Sequence, residues 1–165
     1  MLKMFDMPFI GKVISMLNKL NIELLMSFNE KSAWVMSVAL LAGGSLYFGL
    51  VVTASIDLQE LVSPTLPLLV VYTVVLVFVA IAGHVAAAVA APGEASATLD
   101  ERERNISSRA SSVGSSVLAV GILLALGTYL LFRNGDLLFY LVFASLMMGQ
   151  LVEYLRQVAL YRVAL

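Results

Sequence analysis

The chain has 165 residues, of which 61% are hydrophobic and 13% charged, and its mean hydropathy is +0.96. Soluble domains run to about 45–50% apolar and about 25% charged, so this excess points to an integral membrane protein. A net charge of −1 leaves no basic field for direct nucleic-acid binding, and the absence of cysteine excludes disulfides, thiolate metal sites and cysteine nucleophiles.

The expected fold class is an all-α membrane protein. Four transmembrane helices form two antiparallel hairpins of a four-helix bundle, and a short N-terminal amphipathic interfacial helix precedes them. Residues 1–26 make up that extension. Phe9, Ile10, Val13, Ile14, Leu17, Leu20, Leu24 and Leu25 fall at helical spacing, with Lys12, Asn18, Lys19 and Asn21 on other faces. The pattern is too short and too charged to span a bilayer and suits a helix lying on the inner leaflet. Met26 is an alternative starting point for the chain.

The transmembrane domain is expected over residues 27–165. A span needs about 20 mainly apolar residues, and the lipid core demands that the backbone satisfy itself, so each span is a helix. The spans are expected at about 32–54, 65–91, 99–132 and 137–162. Ser27 and Glu30 read as a capping box at the first. Ala39, Ala42, Gly43 and Gly44 form a small-residue patch within it, which lets a neighbouring backbone approach. Pro64 and Pro67 open the second span, and Pro92-Gly93 closes it after an alanine-rich stretch.

The third helix is expected to begin before the lipid. Thr98 with Glu101 reads as a capping box, and Asp100, Glu101 and Glu103 suit the positive end of a helix dipole. Asp100 and Arg104 are spaced for an i,i+4 pair. Ser107, Ser111, Ser115 and Ser108, Ser112, Ser116 form two small-residue rows expected to face another helix. These rows and the Ala39–Gly44 patch also permit a homo-oligomer. Arg133-Asn134-Gly135-Asp136 is a turn signal that folds the third and fourth helices into a hairpin. Tyr129, Phe132, Phe139 and Tyr140 are expected in an aromatic belt at one interface, with Tyr154 and Tyr161 at the other.

Positive charge sets the expected direction. Of the ten Lys and Arg residues, only Arg133 falls on the side of the short turns. Both termini and the central loop are therefore expected in the cytoplasm, with the inner (cytoplasmic) membrane as the location.

Polar groups inside spans are costly and are candidates for function. His84 in the second helix, with Gln150 and Glu153 in the fourth, forms a candidate intramembrane polar site able to relay protons. Glu153 is also spaced to pair with Arg156. The plainer alternative is a structural hydrogen bond between helices. Haem ligation by His84 would need two copies, because each chain has one histidine. An enzyme reading fails for want of a nucleophile with its base or a metal cluster, so no catalytic, metal or cofactor-binding residues are expected. The second candidate is a cytoplasmic contact surface made of Asp100, Glu101, Arg102, Glu103, Arg104 and Arg109.

The run Leu99-Asp100-Glu101-Arg102-Glu103-Arg104, after two spans and just before a third, resembles the Asp-Glu-Arg motif of a family of small inner-membrane proteins of bacteria and archaea. That family carries a domain of unknown function. The likeness extends from about Met26 to the C-terminus. It includes Phe28-Asn29-Glu30-Lys31-Ser32-Ala33-Trp34, Gly83-His84, Glu153-Tyr154 and Tyr161-Arg162. The extension before Met26 departs from it. The resemblance implies a four-helix membrane protein that restrains a cytoplasmic helix-turn-helix regulator, and it implies no catalytic residues. The first functional expectation is therefore a membrane tether or sensor acting by protein contact. The alternative is a small oligomeric transporter or proton-linked channel using His84 and Glu153.

Overall fold

A computed structural model describes residues 28–90 and 100–163. They form four helices: α1 (Phe28–Leu58), α2 (Leu66–Ala90), α3 (Glu101–Phe132) and α4 (Gly135–Val163). Each is long and apolar enough to cross a membrane. The amphipathic helix expected within residues 1–26 lies outside the described residues.

The helices stand in a row rather than a closed ring. α3 packs on α4, α4 on α1, and α1 on α2. Among the described residues α2 comes within 8 Å, Cα to Cα, of neither α3 nor α4. Two hairpins are thus joined along α1 and α4. One end of the bundle carries Phe28 and Val163 (the terminal end), and the other carries the turns at 59–65 and 133–134 (the turn end).

The helix limits follow local chemistry. Asp100, not Thr98, is the N-cap of α3; Thr98 lies outside the described residues. Asp100 has extended backbone, and its Oδ1 accepts the Glu101 N–H at 2.7 Å. With its carboxylate used there, Asp100 forms no ion pair with Arg104, whose backbone N–H instead donates to Asp100 O at 3.0 Å. At the turn, the left-handed residue is Arg133 (φ 53°, ψ 26°), and its N–H donates to Tyr129 O. Asn134 then caps α4, its Oδ1 accepting the Leu137 N–H at 2.9 Å. Gly135 is already helical, so the Asn-Gly pair works through the amide of Asn134 rather than through glycine's freedom.

The α3–α4 seam is built from small residues, though not the serines. Ile106, Ala110, Gly114 and Ala125 are buried on α3, whereas Ser107, Ser108, Ser112, Ser115 and Ser116 are exposed. A helix turns about 100° per residue, so the serine rows flank the buried stripe instead of forming it. Ser116 returns its hydroxyl to Ser112 O at 2.9 Å. In this seam glycine meets glycine. A Cβ added at Gly114 would lie 2.7 Å from Gly149 O, and one at Gly149 would lie 3.1 Å from Gly114 O.

The α1–α4 join is fastened at both ends. At the terminal end the Arg162 guanidinium donates from Nε to Glu30 Oε1 at 2.8 Å, and the Glu30 side chain is 4% exposed. Glu30 thus takes part in an ion pair that the sequence reading did not foresee; Ser27, its expected capping-box partner, lies outside the described residues. At the turn end the Tyr140 hydroxyl donates to Val62 O at 2.9 Å, and Ser63 Oγ donates to Asp136 Oδ2 at 2.7 Å. Between these lies an aromatic cluster. Phe143 of α4 meets Tyr47 of α1 edge-on at 4.9 Å and Tyr72 of α2 at 5.3 Å, with Tyr140 and Val51 buried alongside. Phe139 and Tyr140, expected in an interfacial belt, pack in this cluster near the turn end, while Phe132 stays exposed. Tyr161 is buried at the opposite end. Replacing Tyr140 with phenylalanine keeps the ring and strands the Val62 carbonyl, which should cost about 1 kcal/mol in thermal unfolding.

Candidate functional site

The start of α3 is a rigid charged projection. The Asp100 cap fixes its first turn, and the buried Ile106 and Ala110 hold its next two turns against α4. Glu101, Arg102, Arg104, Asn105 and Arg109 are exposed, and Glu103 is half-buried. These residues do not share one face. Arg102 and Arg109 are two turns apart and nearly in register. Arg104 points about 160° away from Arg102 around the axis. Asp100, Glu101, Arg102, Asn105 and Arg109 line a groove of about 660 Å³ whose apolar floor includes Ile106 of α3 and Leu160 of α4. Glu103 and Arg104 are not part of it. The groove thus combines carboxylates, guanidinium groups and an apolar floor, the mixture that suits a folded peptide or helix better than a small reactive substrate.

The intramembrane candidates are not brought together. His84 sits on α2 and meets α1. Its Nδ1 is 2.8 Å from Ala80 O, and its Nε2 is 2.8 Å from Ser32 Oγ. A carbonyl only accepts, so Nδ1 carries the proton; in the neutral ring, Nε2 accepts from the Ser32 hydroxyl. Glu153 lies on the far side of α4, against α3. A Cβ at Gly114 would stand 2.8 Å from Glu153 Cβ and 3.3 Å from its Oε2. The room left by that glycine accommodates the carboxylate. Among the described residues no ion pair joins Glu153 to Arg156, and Gln150 is exposed. Among the described residues no hydrogen bond joins His84 to Gln150 or Glu153, and α1 packs between α2, which carries His84, and α4, which carries the other two.

Among the described residues no three His, Asp or Glu side chains gather as a metal-holding group. Sequence reasoning missed the Glu30–Arg162 pair and the Ser32–His84 bond. Both had a signal: each joins polar residues that the spans place at the same end of the bundle. The choice of partner needed the order in which the helices pack.

No family model matches the chain, and no curated protein or solved structure matches it either.

Proposed function

We propose that this chain is a membrane tether or sensor that works by protein contact, presenting the start of α3 to a cytoplasmic regulator. Four apolar helices are compatible with a multi-pass membrane protein. The observation that carries the contact reading is the groove beside Arg102 and Arg109, set on a helix that continues without a break to Phe132. Such a helix spans about 48 Å at about 1.5 Å per residue, more than the lipid core needs, so its first turns reach beyond the lipid. The excess of Lys and Arg at this end favours the cytoplasm of a prokaryotic inner membrane. The Asp-Glu-Arg resemblance supplies the class of partner, a helix-turn-helix regulator.

On this reading the arginines have unequal roles, since Arg109 lines the groove and Arg104 does not. Arg109→Glu reverses a charge on its rim and should weaken co-purification of the regulator more than about tenfold, since breaking an interfacial charge pair costs several kcal/mol. Arg104→Glu, on the opposite flank, should leave it within about twofold, as for a charge outside the interface. Both variants should still fractionate with membranes. Undiminished capture by the Arg109 variant would refute the contact surface.

A further inference from the structure

Several polar side chains in the apolar stretches satisfy themselves. Thr73, Ser116, Thr128 and Ser145 each donate a hydroxyl to the carbonyl four residues back. His84 has a hydrogen-bond partner at each ring nitrogen. Gln150 of α4 differs. It is exposed, and its side chain makes no hydrogen bond among the described residues. A glutamine amide offers two donors and an acceptor. From Leu137 to Gln150 is about 20 Å along α4 at about 1.5 Å per residue, which leaves the amide about 10 Å inside a hydrocarbon core of about 30 Å. Lipid at that depth supplies no partner.

Gln150 looks away from its own bundle. Gly114 and Gly149 face each other across the α3–α4 seam. Ser115 and Gln150 each follow their seam glycine by one residue, hence by about 100° around the helix. In two antiparallel helices that face one another, this rotation carries both residues to the same side of the hairpin. Ser115 is exposed there too, at nearly the same depth. Glu153 lies about one turn nearer the terminal end, but it turns in over Gly114, so its carboxylate belongs to the seam. α1 packs on another part of α4, with Tyr47 against Phe143 and Gly44 against Met147. The hairpin thus holds an amide on an outer face, at lipid depth, that none of the described helices covers.

We propose that this face is the contact of a homodimer, in which Gln150 bonds to its counterpart in a second copy. Two properties of the chain select a second copy over an unrelated helix. An amide both donates and accepts, so it is complementary to itself, and two amides related by a two-fold axis exchange a pair of hydrogen bonds. In addition, Arg133 is the one Lys or Arg at the turn end among the described residues, and such a bias inserts every copy in the same direction. Copies that share a direction are related by an axis parallel to the helices. That axis sets a residue beside it against its own image at the same depth, so a single amide suffices. The small side chain of Ser115 next to it lets the second copy approach. Like charges stay apart, because each Glu153 is turned into its own seam. The proposal rests on the reading of α3 and α4 as spans, which membrane fractionation of the unaltered chain tests separately.

The chain has no cysteine, so single introduced cysteines report the contact. Leu146 and Met148 are similarly exposed, at 45% and 50%. They lie about 3 Å apart in depth and point about 160° apart around α4. Leu146 shares the face of Gln150, one turn away, and Met148 looks to the opposite side. Under mild oxidation in native membranes, Leu146→Cys should give a disulfide-linked product of twice the chain mass, and Met148→Cys none above background. Gln150→Leu should weaken self-association about tenfold, the loss of two interhelical hydrogen bonds, measured by Förster transfer between fluorescently tagged copies diluted in lipid. If Gln150→Leu fails to insert, the two cysteine variants decide the matter alone. Equal crosslinking from both cysteines, or none from either, overturns the proposal, and so does self-association unchanged by Gln150→Leu. A crosslinked product of a mass other than twice the chain's would assign the face to a different membrane protein and also overturn it.

Discussion

Gly114→Ala lowers the stability of the protein by about 1–3 kcal/mol, and Gly114→Leu prevents α3 from closing on α4. The added Cβ would sit 2.7 Å from a backbone oxygen of α4 and 2.8 Å from Glu153 Cβ. Neither obstacle is the free end of a side chain. Relief therefore requires the helices to separate, and α4 is the only helix that α3 touches among the described residues. Gly127 on the same helix has nothing within 4 Å of an added Cβ. There alanine should be neutral or stabilising by up to about 1 kcal/mol, through helix propensity alone. Thermal unfolding of the detergent-solubilised variants, followed by circular dichroism, separates the two. If Gly114→Ala melted with the unaltered protein, the close glycine crossing would be refuted.

Arg162→Ala should cost about 1–3 kcal/mol, and more than Glu30→Gln. Breaking a fully buried ion pair costs about 3–5 kcal/mol because a charge is left behind in a poor environment. Here the burial is one-sided, since the Glu30 side chain is 4% exposed and the Arg162 side chain 48%. Water screens the guanidinium and lowers the expected cost, but it does little for the carboxylate. Removing the arginine therefore leaves the costly member, whereas Glu30→Gln removes the buried charge and keeps an acceptor. The double variant Glu30→Leu/Arg162→Leu should recover much of the loss. A double-mutant cycle in thermal unfolding measures the coupling, and equal costs for the two single changes would refute this asymmetry.

The start of α3 shows how far local reasoning reached. The acidic first turn, the capping chemistry and the exposed arginines were legible near residues 98–104, and the helix begins at Glu101. The capping residue moved from Thr98 to Asp100 because both offer an oxygen at a suitable spacing, and only backbone geometry chooses between them. The serines misled for a related reason. Serine, alanine and glycine all qualify as small, and the rows they form lie one or two residues apart around the helix. The stripe that packs is the one where glycine meets glycine, since a hydroxymethyl group at Gly114 would strike the backbone of α4.

The polar candidates divide in the same way. That His84 needs a partner followed from placing an imidazole in an apolar helix. That the partner is Ser32 followed from α2 packing on α1 alone at close range. The sequence by itself determined the four long apolar helices of the described residues, their approximate limits and the separation of charge between the two ends. Those properties depend on runs of neighbouring residues and on the cost of bringing polar backbone or charge into lipid. Tertiary structure alone decided the order of the row, the Glu30–Arg162 clasp and the packing of Tyr47 and Tyr72 against Phe143. Those depend on shape at single positions, where one missing Cβ or one ring fixes which helices touch and which stand apart.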